Sequence, residues 1–450
     1  MLSFVCLAVL LGLGYWLRRK IVLLQRLYLP ASVIAGLLGL ILLQSFKSAG
    51  LPLPAEWTAG WSKMPGILIN VVFACLFLGV EIPGISKVWK SAGRQLAYGQ
   101  IVAWGQYVVG IGLVLFLLGP IFHLNELFGA ILPVGFEGGH GTAGGLGPVF
   151  NELNWAAGKD FALAAATAGI LGAIIVGMVL VNWAVRKGYV MEKKPPHENP
   201  EEVDWTGSIP HDQRPYAGKL TVSSDVIESL SLHIVIVAAA ILIGYGFKEL
   251  LILLQTVIPF AEKHHLLSSF PLFPLCMLGG LLVQIFADRF DPNDHIDHGL
   301  TRRIQNTALD FLVVAAIATI RLDVVAQGWI PLVILVAAGI AWNVFCVLFL
   351  ARRVFKDAWF ERSIAEMGQS MGVTATGLLL LRVVDPDYKT PAAEAFACKQ
   401  LLHEPFMGGG LWTGMAIPLI AAVGAAPVFG IAVAAVVIWT VLLFAARNRE

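Results

Sequence analysis

The segment FGAILPVGFEGGHGTAGGLGPVF, residues Phe128–Phe150, is the one from which the rest of the architecture follows. An apolar run leads into six glycines that surround one acid and one imidazole, Glu137 and His140. A glycine inside a helix costs about 1 kcal/mol relative to alanine, so this density predicts backbone that is largely unwound. The flanking segments are apolar enough to cross a bilayer, and unwound backbone at membrane depth is stable only where it is buried in protein or lines a wet cavity. The pattern therefore predicts a re-entrant hairpin whose tip binds something polar.

The composition of the chain is that of an integral membrane protein. Of its 450 residues, 57% are hydrophobic and only 14% are charged, whereas soluble domains carry about 25% charged residues. The net charge of +1 gives no indication of a nucleic-acid partner, and the lipid bilayer is the partner that the composition predicts. The five cysteines lie at unrelated spacings, mostly inside apolar segments, and are predicted to be small core residues.

Apolar runs near the length of about 20 residues that crosses a bilayer occur in two groups on either side of a polar segment. The first group is Leu2–Leu17, Leu29–Phe46, Pro65–Val80, Leu96–Leu118 and Phe161–Val185. The second group is Leu230–Leu254, Pro271–Ala287, Ile304–Ile320, Ile330–Leu350 and Ala392–Val423, with a broken segment at Ile364–Val384 before its last member. One more run, Ala425–Ala446, follows. The polar segment is rich in charge and proline and predicts a solvated linker.

The two groups of runs resemble one another. Leu29-Pro30 followed by Ala35-Gly36-Leu37-Leu38 is echoed by Phe273-Pro274 followed by Gly279-Gly280-Leu281-Leu282, and the glycines of the first hairpin are echoed in 372–377. Interrupted segments at corresponding positions of two halves indicate the binding site of a transporter. We therefore predict an all-α polytopic membrane protein with two inverted repeats of five transmembrane helices, each with a re-entrant helical hairpin, and an extra C-terminal helix.

The predicted boundaries follow from this repeat. They are 1–185 for the first repeat with its hairpin near 126–152, 186–226 for a cytoplasmic linker, 227–423 for the second repeat with its hairpin near 360–384, and 424–450 for the additional C-terminal helix and tail.

The distribution of positive charge predicts the orientation. Most of the 31 lysines and arginines lie in loops on one side of this arrangement, which is the cytoplasmic side by the positive-inside rule. The N-terminus is then outside, and no basic segment precedes the first apolar run, so we predict a retained helix rather than a signal peptide. Because each half crosses the membrane five times, the second half is inverted, and the hairpins enter from opposite faces.

Opposed hairpins bring helix N-termini and unwound carbonyl groups to the middle of the membrane, where the amides attract carboxylates and the carbonyls hold Na⁺. The predicted substrate-binding residues lie at the two tips: Gly139, His140, Gly141, Thr142, Ser370, Thr374, Thr376 and Gly377. The predicted ion-coupling residues are Glu137, Asn306 and Asp310, because ionisable groups inside a membrane are costly and usually functional. Structural roles stay open, since the glycines could form a packing kink and the polar groups could be internal hydrogen-bonding residues.

Three alternative functions are compatible with parts of this pattern. A proton-coupled carrier of another organic anion would use Glu137 or Asp310 as its proton site. An intramembrane metalloenzyme could take ligands from Glu137, His140, His403 and Glu404, but the sequence contains no established metal motif, so we predict neither a metal nor an enzyme. A passive channel fits broken helices in inverted halves less well than alternating access does.

Lys399, His403 and Glu404 lie at the start of the last run of the second group. If the run from Ala392 is one span, they approach the binding region. We favour a span that begins at Phe406, which makes the three residues interfacial.

The chain resembles the bacterial sodium/glutamate symporter family. The residues that carry the resemblance are Gly138-Gly139-His140-Gly141-Thr142, Gly368 through Gly377, and the Leu29-Pro30 motif, together with the mid-chain linker. The resemblance implies a homodimeric secondary transporter of the bacterial inner membrane that imports glutamate or a related small carboxylate by an elevator-like movement. Na⁺ is then the coupling ion rather than a tightly bound cofactor. Two departures concern the specificity for glutamate more than the fold: Glu137 replaces a small polar residue, and a C-terminal span is added.

Overall fold

The computed structural model describes residues 1–27, 29–51, 54–80, 85–191, 208–386 and 388–447, and within these ranges it contains helices and no strand. Among the described residues, nine helices are long and apolar enough to cross a membrane. The predicted all-α polytopic architecture is therefore confirmed at this level. Residues 192–207 of the predicted linker lie outside the described residues.

The principal helices are numbered in chain order. They are α1 (Leu2–Lys20), α2 (Ala31–Ser48), α3 (Met64–Ala74), α4 (Ile85–Leu113), α5 (Ile131–Phe136), α6 (Gly139–Gly145), α7 (Gly147–Glu152), α8 (Ala157–Lys187), α9 (Ser229–Gln255), α10 (Leu272–Phe290), α11 (His298–Ala318), α12 (Trp329–Phe345), α13 (Trp359–Met371), α14 (Thr374–Val384), α15 (Ala392–Phe406), α16 (Leu411–Val423) and α17 (Ala425–Arg447). Two of them, α4 and α12, continue directly into π-helical turns at Val114–Leu118 and Cys346–Ala351.

The chain divides into two compact units, and each takes residues from both halves of the sequence. Unit 1 comprises Met1–Ile82, Gly144–Val149 and Glu201–Ile320, so it contains α1 to α3 and α9 to α11. Unit 2 comprises Pro83–Ala143, Phe150–Pro200 and Arg321–Glu450, so it contains α4, α5, α8 and α12 to α17.

In unit 1, the repeated sequence motif forms close helix contacts. A Cβ atom on Gly36 of α2 would lie 2.6 Å from Cβ of Ile317 in α11. A Cβ atom on Gly280, the matching position in α10, would clash with the carbonyl oxygen of Ala74 at the end of α3. Small residues allow helices in a membrane to approach this closely. The motif therefore acts in helix packing.

The third predicted span of each half differs from the other spans. The helix predicted over Pro65–Val80 ends at Ala74 after 11 residues, and its counterpart α11 is also not among the nine long apolar helices. The chain turns after α3, where Gly79 has a φ of +71° and its amide donates to Oε1 of Gln284 at 2.6 Å. This turn is the reason that the apolar sequence beyond Ala74 does not extend the helix.

In unit 2, a buried apolar cluster connects α4 to the C-terminal helix. It contains Tyr98 and Ile101 of α4, Cys346 and Phe355 after α12, and Leu443 of α17. The helix predicted for 424–450 is therefore present as Ala425–Arg447 and packs into the core of unit 2.

The first hairpin is more helical than its glycine content predicts. Helices α5, α6 and α7 leave breaks only around Glu137–Gly138 and at Leu146. The expectation of extensive unwinding was wrong because glycine here also permits close packing. A Cβ atom on Gly135, for example, would lie 2.7 Å from Cβ of Ala165 in α8.

The second hairpin consists of α13 and α14, which are joined at Gly372–Val373. Its two arms pack through glycines, since a Cβ atom on Gly368 would lie 2.7 Å from Cα of Gly377. The predicted broken segment is thus present as two helices with a two-residue break.

The last run of the second half is also broken, because α15 ends at Phe406 and α16 begins at Leu411. Three glycines, 408–410, form the break, and Gly409 has a φ of +89°. The residues from Ala392 to Phe406 are therefore helical and precede the position at which we expected the span to begin.

Candidate functional site

Inside unit 2, the residue after the first break of the first hairpin contacts the break of the second hairpin. Gly139 has a φ of +63°, and a Cβ atom there would lie 3.4 Å from Cγ1 of Val373 and 3.6 Å from the carbonyl oxygen of Gly372. Only glycine adopts this left-handed conformation at little cost. The contact brings the start of α6 next to the start of α14.

A buried carboxyl group lies beside this contact. Oε2 of Glu137 accepts a hydrogen bond from Nε2 of Gln369 at 2.9 Å and lies 3.3 Å from Nε2 of His403. The other oxygen, Oε1, is buried and has no hydrogen-bond partner. An unpaired buried acceptor in a native structure calls for a ligand, a water or an ion.

The charge of His403 follows from two neighbours on α4. Trp104 can only donate, and its Nε1 donates to Oε1 of Gln100 at 3.1 Å. This fixes the amide so that Nε2 of Gln100 faces Nδ1 of His403 at 3.3 Å. Nδ1 is then an acceptor, so the imidazole is neutral and its Nε2–H donates to Glu137. His403 adds no positive charge to the site.

Lys399 supplies the positive charge nearest to this carboxyl group. Its ammonium group is fully buried and donates to three side-chain oxygens, Oε1 of Glu366 at 2.5 Å, Oε1 of Gln400 at 2.8 Å and Oε1 of Gln369 at 3.1 Å. Gln369 thus accepts from Lys399 and donates to Glu137, and it links the two charged groups. Lys399 and His403, which the sequence predicted to be interfacial and without a role in the site, are both 0% exposed inside the protein.

The network continues to the first residue of α14. Nε2 of Gln400 donates to Oγ1 of Thr374 at 2.7 Å, and this hydroxyl donates to Oε2 of Glu404 at 3.4 Å. Of the predicted substrate residues, Thr374 is therefore the one joined by hydrogen bonds to the buried charges. Its side chain and that of Glu404 are only partly buried.

Several other predicted substrate residues have internal partners. Nε2 of His140 lies 2.9 Å from Oγ1 of Thr167, whose own hydrogen goes to the carbonyl oxygen of Leu163, so the imidazole donates to α8. The hydroxyl of Ser370 donates to Oδ1 of Asn343 in α12. These contacts correspond to the structural roles that the sequence left open for polar groups.

The remaining predicted residues fall into two sets. At the tips, Gly141 lies within α6, Gly377 packs against Gly368, and Thr142 and Thr376 are buried. Asn306 and Asp310 lie on α11 in unit 1, and both side chains are exposed in the described chain. The structure therefore gathers Glu137 with Thr374, whereas Asn306 and Asp310 belong to the other unit.

Sequence reasoning missed the polar face of α4 and the acid on α13. Nε2 of Gln95 donates to Oε2 of Glu366 at 2.9 Å, and Nε2 of Gln106 donates to the carbonyl oxygen of Ser370 at 2.7 Å. The Oε1 atoms of both glutamines are buried without a partner. A signal was available for Gln106, because a glutamine within the predicted span Leu96–Leu118 is expected to face protein rather than lipid.

Comparison with known proteins assigns the chain to a family. Residues 1–390 match the family model described as sodium/glutamate symporter. The chain is also similar to the sodium/glutamate symporter of Haemophilus influenzae (strain Rd), with 23% identity over 408 residues that cover 86% of this chain and 89% of that protein. No solved structure matches the chain.

Proposed function

The chain belongs to the sodium/glutamate symporter family, and from this premise we propose that it imports glutamate or a related small carboxylate together with Na⁺ across the bacterial inner membrane. In this proposal Na⁺ is a coupling ion that is carried with the cargo, and the chain has no catalytic residues.

The observation that carries the proposal is an excess of carboxyl groups where the hairpins meet. Among the described residues, Glu137, Glu366 and Glu404 belong to one hydrogen-bonded network, and the cation that donates hydrogen bonds within it is Lys399. Uncompensated charge is costly away from water. An anionic cargo can therefore enter this network only if cations or protons enter with it, and a symporter provides them from an ion gradient.

We assign the exchangeable cation to Glu137 and the cargo carboxylate to the start of α14. Oε1 of Glu137 is a buried acceptor without a partner. The first amides of α14, at Thr374 and Ala375, have no acceptor within their own helix, and a helix N-terminus attracts carboxylates. Gly139 and Thr142 line the opposite tip in this proposal. Asn306 and Asp310 are proposed to form a second ion-coupling position in unit 1.

The two inverted repeats that we propose from the sequence support an elevator-like mechanism. Corresponding contacts occur in unit 1, where Gly36 packs against α11 and Gly280 packs against α3. Corresponding π-turns occur in unit 2, where α4 and α12 continue into Val114–Leu118 and Cys346–Ala351. Transporters with inverted repeats move one structural body against another around a midplane site. The homodimer that completes this proposal rests on the family resemblance.

The orientation is testable by cysteine labelling in a variant that lacks the five native cysteines. Ser62→Cys and Tyr216→Cys place thiols at exposed positions before α3 and before α9. With the N-terminus outside, a membrane-impermeant thiol reagent is expected to label Ser62→Cys in intact cells and Tyr216→Cys only after permeabilisation. Labelling of both thiols from the same side would contradict the assignment.

The transport function is testable in proteoliposomes that contain only this protein. Uptake of labelled glutamate is expected to need an inward Na⁺ gradient and to fall to the level of empty liposomes when choline replaces Na⁺. A panel of dicarboxylates and amino acids, offered as competitors, then identifies the preferred cargo. Equal uptake in Na⁺ and in choline would refute Na⁺ coupling.

A proton-coupled carrier is the alternative, and the free oxygen of Glu137 is the observation that favours it. In that case an inward proton gradient without Na⁺ drives uptake. The same proteoliposomes in choline, with the outside made acidic, distinguish the two ions.

A further inference from the structure

Protein side chains satisfy every hydrogen-bond donor of the buried Lys399 ammonium group. Its ammonium group carries three N–H donors, and each of its three oxygen partners comes from a side chain, those of Glu366, Gln369 and Gln400. Both Lys399 and Glu366 are 0% exposed. Charged side chains are almost never fully buried unless they are paired, so Lys399 and Glu366 of unit 2 depend on each other for charge compensation.

A glycine on α4 provides the space for the ion pair. A Cβ atom on Gly99 would lie 2.5 Å from Oε1 of Glu366 and 2.5 Å from Cε of Lys399. Four residues earlier, Gln95 satisfies the second oxygen of Glu366. The surroundings of the ion pair therefore take residues from α4, α13 and α15. Lys399 also lies beyond residues 1–390, the part of the chain that matches the family model.

The oxygens around the ammonium group are those that a hard monovalent cation would bind. They are one carboxylate and two carboxamide oxygens, without sulfur or nitrogen. We propose that Lys399 is a tethered counter-cation. Its ammonium group occupies a site of three oxygens that could otherwise bind a cation from solution.

The tethered cation also acts on the carboxyl group of Glu137. Gln369 accepts from Lys399 through Oε1 and donates to Glu137 through Nε2, so turning its amide over would break both bonds. Lys399 is thus a positioning residue that holds Gln369, and Gln369 holds Oε2 of Glu137 while Oε1 stays open. This positioning role rests on the proposed transport function, whereas the tethered cation itself does not.

The test removes the charge and then returns it from solution. Lys399→Ala deletes three methylenes and the amine, which together correspond to n-propylammonium. We expect the purified variant to melt below the wild type and to be restored toward it by n-propylammonium chloride. Choline, which is too bulky, and n-propanol, which is uncharged, should have no effect, and the wild type should not respond to the amine. This readout requires no transport, so it stands even if glutamate is not the cargo.

A double variant controls for the loss of volume. In Lys399→Ala/Glu366→Gln the cavity remains, but the uncompensated carboxylate is gone, so we expect no stabilisation by n-propylammonium. Equal stabilisation of the single and double variants would show that the amine fills a hole rather than replaces a charge. An absence of any response in Lys399→Ala would equally overturn the proposal.

Lys399→Gln tests the positioning role, which rests on the proposed transport function. It retains a hydrogen-bonding side chain without the charge, and we expect Na⁺-driven uptake to fall by about 100-fold, because Gln369 loses the ammonium donor that orients its amide toward Glu137. Gly246→Ala, on a helix face with nothing within 4 Å of the added Cβ, is the control for expression and insertion. Wild-type uptake by Lys399→Gln would show that the charge of Lys399 is not needed to position Gln369 for transport.

Discussion

Glu137→Gln is expected to reduce Na⁺-driven glutamate uptake by about 100-fold or more while the protein stays folded. The substitution keeps the shape of the side chain and removes its negative charge. Oε2 of Glu137 is held by Gln369 and His403, but Oε1 is buried without a partner, so the charge is not needed to complete an internal ion pair. The charge is instead available to an exchangeable cation. Removal of the Glu137 charge should therefore weaken Na⁺ binding.

The measurement is initial uptake as a function of Na⁺ concentration in proteoliposomes with matched amounts of protein. Glu152→Gln is the control, because Glu152 is an exposed acid at the end of the same hairpin. It should behave as the wild type does. Normal uptake by Glu137→Gln at low Na⁺ concentration would remove Glu137 from the coupling site. The proton-coupled alternative would be supported by two results together. A proton gradient would drive uptake by the wild type in choline, and uptake by Glu137→Gln would be independent of pH.

The helix breaks in the two glycine-rich segments were predictable from the sequence because clustered glycines inside apolar segments favour a break in the helix. The extent of unwinding was overestimated, since the role of a glycine depends on what faces it. Gly135 is helical and lies against Ala165, and Gly368 is helical and lies against Gly377. Such contacts join residues that are distant in sequence or that meet only when the two arms of a hairpin fold together. A local sequence pattern therefore does not predict these contacts.

The candidate site could be predicted from the sequence only in part, and the reasons are geometric. Glu137 and His140 are three residues apart, but Glu137 lies in the break after α5 and His140 lies in α6, where it donates to Thr167 rather than joining Glu137. The burial of Lys399 was not predicted, because a lysine near the start of an apolar run usually lies at the membrane interface. Its partner Glu366 is 33 residues away in the chain and lies on another helix, so only the fold could pair them.

Gly139→Val is expected to reduce uptake by about 100-fold, an effect comparable to that of Glu137→Gln. Two costs combine at this position. A β-branched residue is strained at a φ of +63°, and a Cβ atom would already lie 3.4 Å from Cγ1 of Val373, so the larger side chain pushes the hairpin breaks apart. Separation of the tips moves Glu137 away from Gln369 and the start of α14. Uptake and melting temperature are measured together, because only a loss of uptake without global unfolding identifies the contact as functional.

Gly188→Val separates the two costs. Gly188 has a φ of +68°, nearly the same as that of Gly139, but nothing lies within 4 Å of the added Cβ at the end of α8. The strain is therefore similar, and the tip contact is untouched. We expect Gly188→Val to transport at close to the wild-type rate with a similarly lowered melting temperature. If both variants lose uptake equally, backbone strain alone explains the effect of Gly139→Val, and the contact between Gly139 and Val373 loses its role in transport. If Gly139→Val alone loses uptake, the meeting of the two breaks is what the transport cycle requires.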